Sequence, residues 1–206
     1  MIEFSAQDLS GLQNYKFLTG SVIPRPIAWI TTQNPTTQVV NAAPFSYFNV
    51  VSSQPPLVSL SINRSQGVPK DTAHNLLEQK EGVIHIVNDD VLAVMNQTAA
   101  SLPPTVSELE KQAVTLIPSQ KVAVPSIQEA AIRLEVRVHQ YIPVMDHTER
   151  IVSDLFILEV LHYAFDPAVF SEERQYILPE ELRPIARLAG NTYARLGETF
   201  DIQRPY

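Results

Sequence analysis

The sequence predicts a mainly β, barrel-like fold, and three observations carry that prediction. The 206 residues hold sixteen prolines against six glycines, and proline is excluded from central helix and sheet positions. Near-pairs such as Pro24/Pro26, Pro55/Pro56 and Pro103/Pro104 therefore read as corner posts at strand starts and rigid loops. Residues 57–62 and 132–142 alternate apolar and polar side chains, the period-two mark of half-buried strands. With 45% hydrophobic and 18% charged residues, the chain can bury a full core. Its length suits one large all-β domain over residues 1–206.

In chain order, residues 1–20 are weakly patterned, with a short helix fitting 7–15. Ser21-Val22-Ile23-Pro24-Arg25-Pro26 opens a first strand that residues 27–32 continue, its prolines placed where missing N–H groups cost least. Residues 33–37 read as a turn and 38–42 as the returning strand. A polar, proline-bounded loop then runs to residue 56, before the strand at 57–62. After a loop at 63–69, Asp71 or Thr72 suits the N-cap of a helix reaching about Gln79, which Glu81-Gly82 ends. Residues 83–87 form the next strand, followed by a helix from about residue 90 to 100. Ser107-Glu108-Leu109-Glu110 matches a capping box for a further short helix, and 113–130 read as a long connection. In the strand at 132–142, Ile132, Leu134, Val136 and Val138 share one face, and Arg133, Glu135, Arg137 and His139 the other. Residues 154–163 form a more continuously apolar strand. Residues 179–188 are a helix candidate containing Pro184, and 189–195 have turn chemistry. The sum is six or seven strands with about three peripheral helices.

Composition excludes several functions. A net charge of -7 argues against nucleic acid, whose binding relies on clustered Lys and Arg, and against an anionic membrane surface. A phosphate handled here is a small ligand gripped locally. The chain has no cysteine, which removes disulfide scaffolds, thiolate nucleophiles, iron–sulfur clusters and cysteine-bound zinc. No secretory signal pattern opens the chain, and no apolar stretch approaches the ~20 residues that span a bilayer. The expectation is a soluble, cytoplasmic protein.

Two stretches carry candidate chemistry. Lys70-Asp71-Thr72 enters a helix, where unpaired backbone N–H groups and the helix dipole favour an anion. A capped surface helix with a flanking lysine would look the same. Residues 43–53 offer Ser46, Asn49, Ser52 and Ser53 as donors and acceptors, with Phe45, Tyr47 and Phe48 to pack around a flat ring. That suits a flavin, which a protein tunes through hydrogen bonds and nearby charge, and equally an ordered connector with core aromatics. His74, His85, His139, His147 and His162 show no metal spacing, and no GxSxG elbow supports an acyl-enzyme. No GxGxxG follows a strand, so there is no Rossmann site; if the protein oxidises NAD(P)H, the nicotinamide must dock directly on the flavin.

Several motifs in order resemble the flavin reductase-like family, which includes the flavoredoxins. They are Ser21-Val22-Ile23-Pro24-Arg25-Pro26-Ile27-Ala28-Trp29, Asn41-Ala42-Ala43-Pro44-Phe45-Ser46-Tyr47-Phe48, Ser52-Ser53-Gln54-Pro55-Pro56 and Lys70-Asp71-Thr72-x-x-Asn75. The likeness continues through Met95-Asn96-Gln97-Thr98-Ala99, Glu159-Val160-Leu161-His162, Leu182 to Leu188 and Tyr193-Ala194-Arg195. The resemblance implies a split β-barrel and a homodimer with one FMN per subunit near the interface. It places the phosphate toward Lys70 and Thr72, with Arg25 or Asn75 as further contacts. The ring would lie against Asn41 to Ser53, with Phe45 beside it and Ser46, Ser52 and Ser53 as polar contacts. Arg187 and Tyr193 would close the site or the interface. Glycine is common in the family where this chain has Leu158 and Ala189, which leaves the path of the C-terminal segment open.

The resulting reading is an NAD(P)H-dependent flavin reductase that passes electrons through bound FMN to free flavin or another acceptor, with no side chain as an obligatory acid or base. A non-catalytic FMN-binding electron carrier is the alternative. More remote is a barrel binding haem or a pyridoxal phosphate-like compound, which the missing cysteine and the lack of a haem-type histidine motif disfavour.

Overall fold

The computed structural model describes residues 1–205, and its framework is a seven-stranded antiparallel sheet. In chain order come β1 (Ala28–Gln33), β2 (Val40–Phe45), β3 (Phe48–Ser53), β4 (Pro56–Asn63) and β5 (Glu81–Ile86). Two strand fragments follow, β6 (Leu116–Ile117) and β7 (Ser126–Ile127), then the long pair β8 (Ile132–Met145) and β9 (Ile151–Phe165). The C-terminal region adds the fragments β10 (Phe170–Ser171) and β11 (Tyr176–Ile177) and a hairpin of β12 (Ile185–Arg187) with β13 (Tyr193–Arg195). The helices are α1 (Gly11–Ser21), α2 (Asp71–Gln79), α3 (Leu92–Gln97) and the single turn α4 (Pro179–Leu182).

Chain connectivity forces this sheet to curl. Its order is β2-β1-β5-β8-β9-β4-β3, so the two edge strands, β2 and β3, are joined only by Ser46 and Tyr47. A flat sheet of that size would hold its edges roughly 29 Å apart, at ~4.8 Å per strand. The chain from Phe45 to Phe48 reaches at most about 11 Å. The edges must therefore meet, yet no ladder joins β2 to β3 among the described residues. The fold is a split barrel, and Ser46-Tyr47 marks the split.

Period-two patterning fills the interior. Ile30 from β1, Leu60 and Ile62 from β4, Ile84 from β5, Val136 from β8, and Phe156 and Leu158 from β9 form the barrel core, with Ala73 and Leu76 of α2 packed onto it. The intervening residues Ile27 and Trp29 point to a second cluster with Val87, Val91, Met95 and Ile185. Residues 28–32 of β1 are thus buried on both faces. Leu158, where a glycine was expected from the family pattern, fills a fully buried core position.

The structure corrects several expected elements. The loop expected over 41–56 contains the end of β2 and all of β3, whose sparse apolar pattern reflects an edge strand with Asn49, Val50 and Val51 exposed. Glu81-Gly82 begins β5, while α2 ends at Lys80 in a left-handed turn with φ 65°. A Cβ at residue 82 would lie 3.1 Å from the Thr31 carbonyl oxygen, so glycine there serves strand packing. The first helix is α1, opened by a capping box between Ser10 and Gln13. The helix expected near 107 does not form, because Ser107 Oγ donates to the Val40 carbonyl at 2.5 Å and Glu108 turns into β2. The helix expected over 179–188 stops at Leu182, and Pro184 then bridges to Asn88. Gly190, with φ 58°, makes the turn between β12 and β13 that Ala189 does not.

The long connection over 113–130 is held by side chains more than by strand ladders. The buried Glu135 carboxylate accepts from Gln120 N at 2.8 Å and Lys121 N at 2.6 Å. Glu81 accepts from Ala123 N at 2.8 Å, and Thr31 Oγ1 donates to the Pro125 carbonyl at 2.8 Å. The expected polar face of β8 is therefore partly covered, which explains an acidic residue only 3% exposed.

Candidate functional site

Beside the split lies a cleft of about 320 Å³. The curl of the sheet brings its walls together. The end of β2 and the connection to β3 supply Pro44, Phe45, Ser46 and Tyr47, and the end of β4 supplies Ser61 and Asn63. Lys70 stands at the entry to α2, while Met95 and Ala99 come from α3 and the turn after it. Tyr15 and Thr19 face in from α1, one helical turn apart, and Arg187 and Tyr193 close the far side from the C-terminal hairpin.

The cleft carries a basic group at the entry to α2. Lys70 is itself the N-cap of α2, and no side chain caps that helix. The first-turn N–H groups of α2 have no intrahelical partner, so they and the Lys70 ammonium offer positive charge at one place. Lys70 Nζ lies 5.5 Å from the centre of the Phe45 ring, which ties the end of β2 to the start of α2. The lining also includes apolar Ile27, Pro44, Met95 and Ala99 and the Tyr193 ring.

Arg25 is a strut. Its Nη1 donates to the Thr19 and Val22 carbonyls at 2.7 Å each, its Nη2 to Leu188 O at 2.8 Å, and its Nε reaches Ser46 Oγ at 3.4 Å. It therefore holds α1, the C-terminal hairpin and Ser46 around the cleft. Paired backbone bonds between Arg25 and Arg187, at 3.1 and 2.8 Å, reinforce that junction. The Arg187 guanidinium lies 4.5 Å above the Tyr193 ring and donates to the Gly190 carbonyl. Tyr193 Oη donates to Asn96 Oδ1 at 3.0 Å. Burial pushes the Tyr47 hydroxyl above its usual pKa, and the nearby Tyr15 acts in the same direction.

Of the residues expected to bind cofactor, the cleft gathers Arg25, Phe45, Ser46, Lys70, Arg187 and Tyr193. Asn41, Thr72 and Asn75 lie elsewhere, in a buried network behind α2. Thr72 Oγ1 donates to Asn41 Oδ1 at 2.7 Å, Asn41 Nδ2 to Glu108 Oε1 at 2.8 Å, and Asn75 Nδ2 to Thr32 Oγ1 at 3.1 Å. Glu108 also accepts from Ala42 N at 3.1 Å; burial raises its carboxyl pKa while these bonds oppose the rise. The network fixes the first turn of α2 against β2, so these residues position Lys70 and Phe45 without lining the cleft. Ser52 and Ser53 sit at the far end of edge strand β3, where Ser52 Oγ accepts from Gln54 N at 3.2 Å. Tyr15, Thr19, Ser61, Asn63, Met95 and Ala99 were not among the expected contacts. The spacing of Tyr15 and Thr19 on one helix face, and the polar end of β4 just before the basic loop, were the signals available.

Residues 19–179 match the family model described as flavin reductase like domain. The chain belongs to the flavin reductase-like family. The protein YwrF of Bacillus subtilis is 45% identical over 205 residues, covering 100% of both chains. The crystal structure of nitrilotriacetate monooxygenase component B from Bacillus cereus is 40% identical over 98% of each chain, with a TM-score of 0.94. That of the 2-nitrobenzoate 2-nitroreductase NbaA of Pseudomonas fluorescens is 27% identical, covers 99% of this chain and 96% of its own, and has a TM-score of 0.88. Arg187 and Tyr193, which line the cleft, lie beyond the stretch the family model matches.

Proposed function

We propose that this protein is an FMN-dependent, NAD(P)H-oxidising flavin reductase acting as a single domain over residues 1–206. The observation that carries the reading is the mixed lining of the cleft: Lys70 at an uncapped α2 together with apolar and aromatic walls. That donor set fits FMN, a flat and largely apolar ring joined to a phosphate by a flexible chain. Lys70, the first N–H groups of α2, Ser61 and Asn63 would hold the phosphate end. Pro44, Ser46, Met95 and Tyr193 would border the ring, and Arg25 would keep its walls together. When bound, FMN would supply the redox chemistry, as a two-electron acceptor for a dihydronicotinamide donor. The protein's own part is to bind, orient and shield. We place the reaction in the cytoplasm, and among the described residues no helix is long and apolar enough to cross a membrane.

We propose a homodimer as the working form. Leu12, Phe17 and Leu18 of α1 and Phe4 before it are exposed, and Tyr15 on the same helix lines the cleft. Exposed large apolar side chains gathered on one helix suit an association site, here one that would cover the cleft with a second copy.

The test is Lys70→Ala, read by flavin titration. A charge-assisted bond contributes about 1.5–3 kcal/mol, so FMN affinity should fall about ten- to a hundredfold. Riboflavin, which lacks the phosphate, should bind as before. Equal loss for both ligands would place the phosphate elsewhere, and absence of any saturable FMN binding by the unaltered protein would reject the reading altogether. Rapid bleaching of bound FMN by NADH or NADPH distinguishes a reductase from an electron carrier.

A further inference from the structure

We infer that the cavity beside the cleft, walled by the C-terminal hairpin, seats the pyrophosphate of a nicotinamide dinucleotide whose dihydropyridine ring enters the cleft. This rests on the reading of the cleft as a flavin site. The cavity measures about 960 Å³ and shares Ala99, Arg187 and Tyr193 with the cleft. A hydride passes only between groups in contact, so the donor ring must reach the flavin and the rest of the donor must lie in adjoining space. With no Rossmann fingerprint in the sequence, a surface cavity has to supply that space.

Its lining suits pyrophosphate. Arg183, Arg187 and Arg195 converge there in a chain whose net charge is -7. A guanidinium presents five N–H donors in a fork that matches phosphate oxygens. Two of the three are aimed by carboxylates: Arg195 Nε reaches both Asp89 oxygens, at 2.8 and 3.1 Å, and Arg183 Nη2 donates to Asp90 Oδ1 at 2.8 Å. Their side chains remain 51% and 71% exposed for Arg183 and Arg195, so the carboxylates orient them and leave other N–H edges to a ligand. Three guanidinium groups against two carboxylates leave a surplus positive charge for an anion to neutralise.

The experiment mixes FMN-loaded protein with NADH, with NADPH and with 1-benzyl-1,4-dihydronicotinamide, a donor without phosphate, and follows loss of flavin absorbance. Arg183→Gln together with Arg195→Gln should raise the half-saturating dinucleotide concentration at least tenfold. The phosphate-free donor should shift less than twofold, and FMN titration of the same variant should be unchanged. Asp89→Asn, which keeps an amide oxygen to orient Arg195 but removes the competing charge, should lower the half-saturating dinucleotide concentration several-fold; mere disruption of the hairpin would raise it. The inference is overturned if the double variant leaves the dinucleotides unaffected, if it weakens the phosphate-free donor equally, or if none of the three donors bleaches the flavin. Failure of the unaltered protein to bind FMN would instead reject the underlying flavin reading.

Discussion

Asp154→Ala is expected to destabilise the protein by about 3–5 kcal/mol, the cost of leaving one partner of a buried ion pair uncompensated. Asp154 lies on β9, opposite Ile62 of β4 and Pro143 of β8, and is fully buried. Its Oδ1 accepts from Arg64 Nη2 at 2.7 Å and from Tyr141 Oη at 2.8 Å, and its Oδ2 accepts from Arg64 Nε at 2.9 Å. All of that donor capacity would lose its acceptor at once, and the Arg64 side chain is only 14% exposed. Against a typical stability of ~5–15 kcal/mol, the loss is large. For a chain of this length it corresponds to a fall in melting temperature of roughly 10 °C. Urea denaturation measures it. A loss under about 1 kcal/mol would mean that water already solvates the pair. Replacing both partners, Asp154→Leu with Arg64→Met, should recover much of the loss, since burying neither charge removes the desolvation penalty.

The same substitution should also weaken flavin binding. Arg64 begins the loop that delivers Lys70 to the cleft, and it is held by the Asp154 pair, by its own N–H to the Val152 carbonyl at 2.9 Å, and by Nη1 to the Gly67 carbonyl at 3.3 Å. Losing the first of these frees the end of β4, where Asn63 lines the cleft, together with the approach to α2. The buried pair thus links barrel stability to the placement of Asn63 and Lys70 in the cleft wall.

How much of this was legible in the sequence depends on what each residue faces. The alternation at 57–62 announced β4 because one face meets the barrel core and the other is half-exposed. Edge strand β3 gave no such signal, since only one of its edges is paired and Val50 and Val51 face outward. In β8 and β9 the strands were visible but their bulges were not: pairing shifts between Glu135 and Val136 and again between Val138 and Gln140. The site divided in a similar way. Lys70 was legible as a candidate because it flanks a helix entry, where a plain surface helix would look the same; the structure puts it in the cleft wall. Asn41, Thr72 and Asn75 were not separable from ligand contacts by residue type, because a buried network needs the same donors and acceptors as a cofactor does. Only the curl of the sheet decides which of them face inward. The meeting of Phe45 with Lys70, or of Arg25 with Leu188, is a product of that curl and has no local signature.

Lowering the pH from about 6.5 to 4 is expected to remove about 3 kcal/mol of stability through His85 alone. The ring is fully buried, with Nδ1 2.9 Å from the Trp29 carbonyl and Nε2 accepting from Ile127 N at 2.9 Å. A carbonyl only accepts, so Nδ1 carries the proton and Nε2 must stay bare; a proton there would face another N–H. Burial is the main cause that lowers its pKa from 6.5 to about 4, with Arg133 adding to it and the bond to Trp29 opposing. Between those values the unfolded chain binds a proton that the folded one refuses. Stability is therefore fully present above pH 6.5 and declines as the pH falls toward 4, at 1.36 kcal/mol per unit. Glu108 works the other way, because burial raises its carboxyl pKa and the folded state holds that proton longer. The comparison that isolates His85 is His85→Gln, which keeps an amide donor and acceptor but does not titrate. The advantage of the unaltered protein over this variant should shrink by about 3 kcal/mol between pH 6.5 and 4. A constant difference across that range would show that the histidine is not held neutral. Trp29 and Ile127, the two partners of His85, pack in the same cluster as Met95 and Ile27 of the cleft wall. Acid should therefore loosen the cleft wall before the barrel itself unfolds, and flavin affinity measured down the same pH series should fall earlier than the denaturation midpoint does.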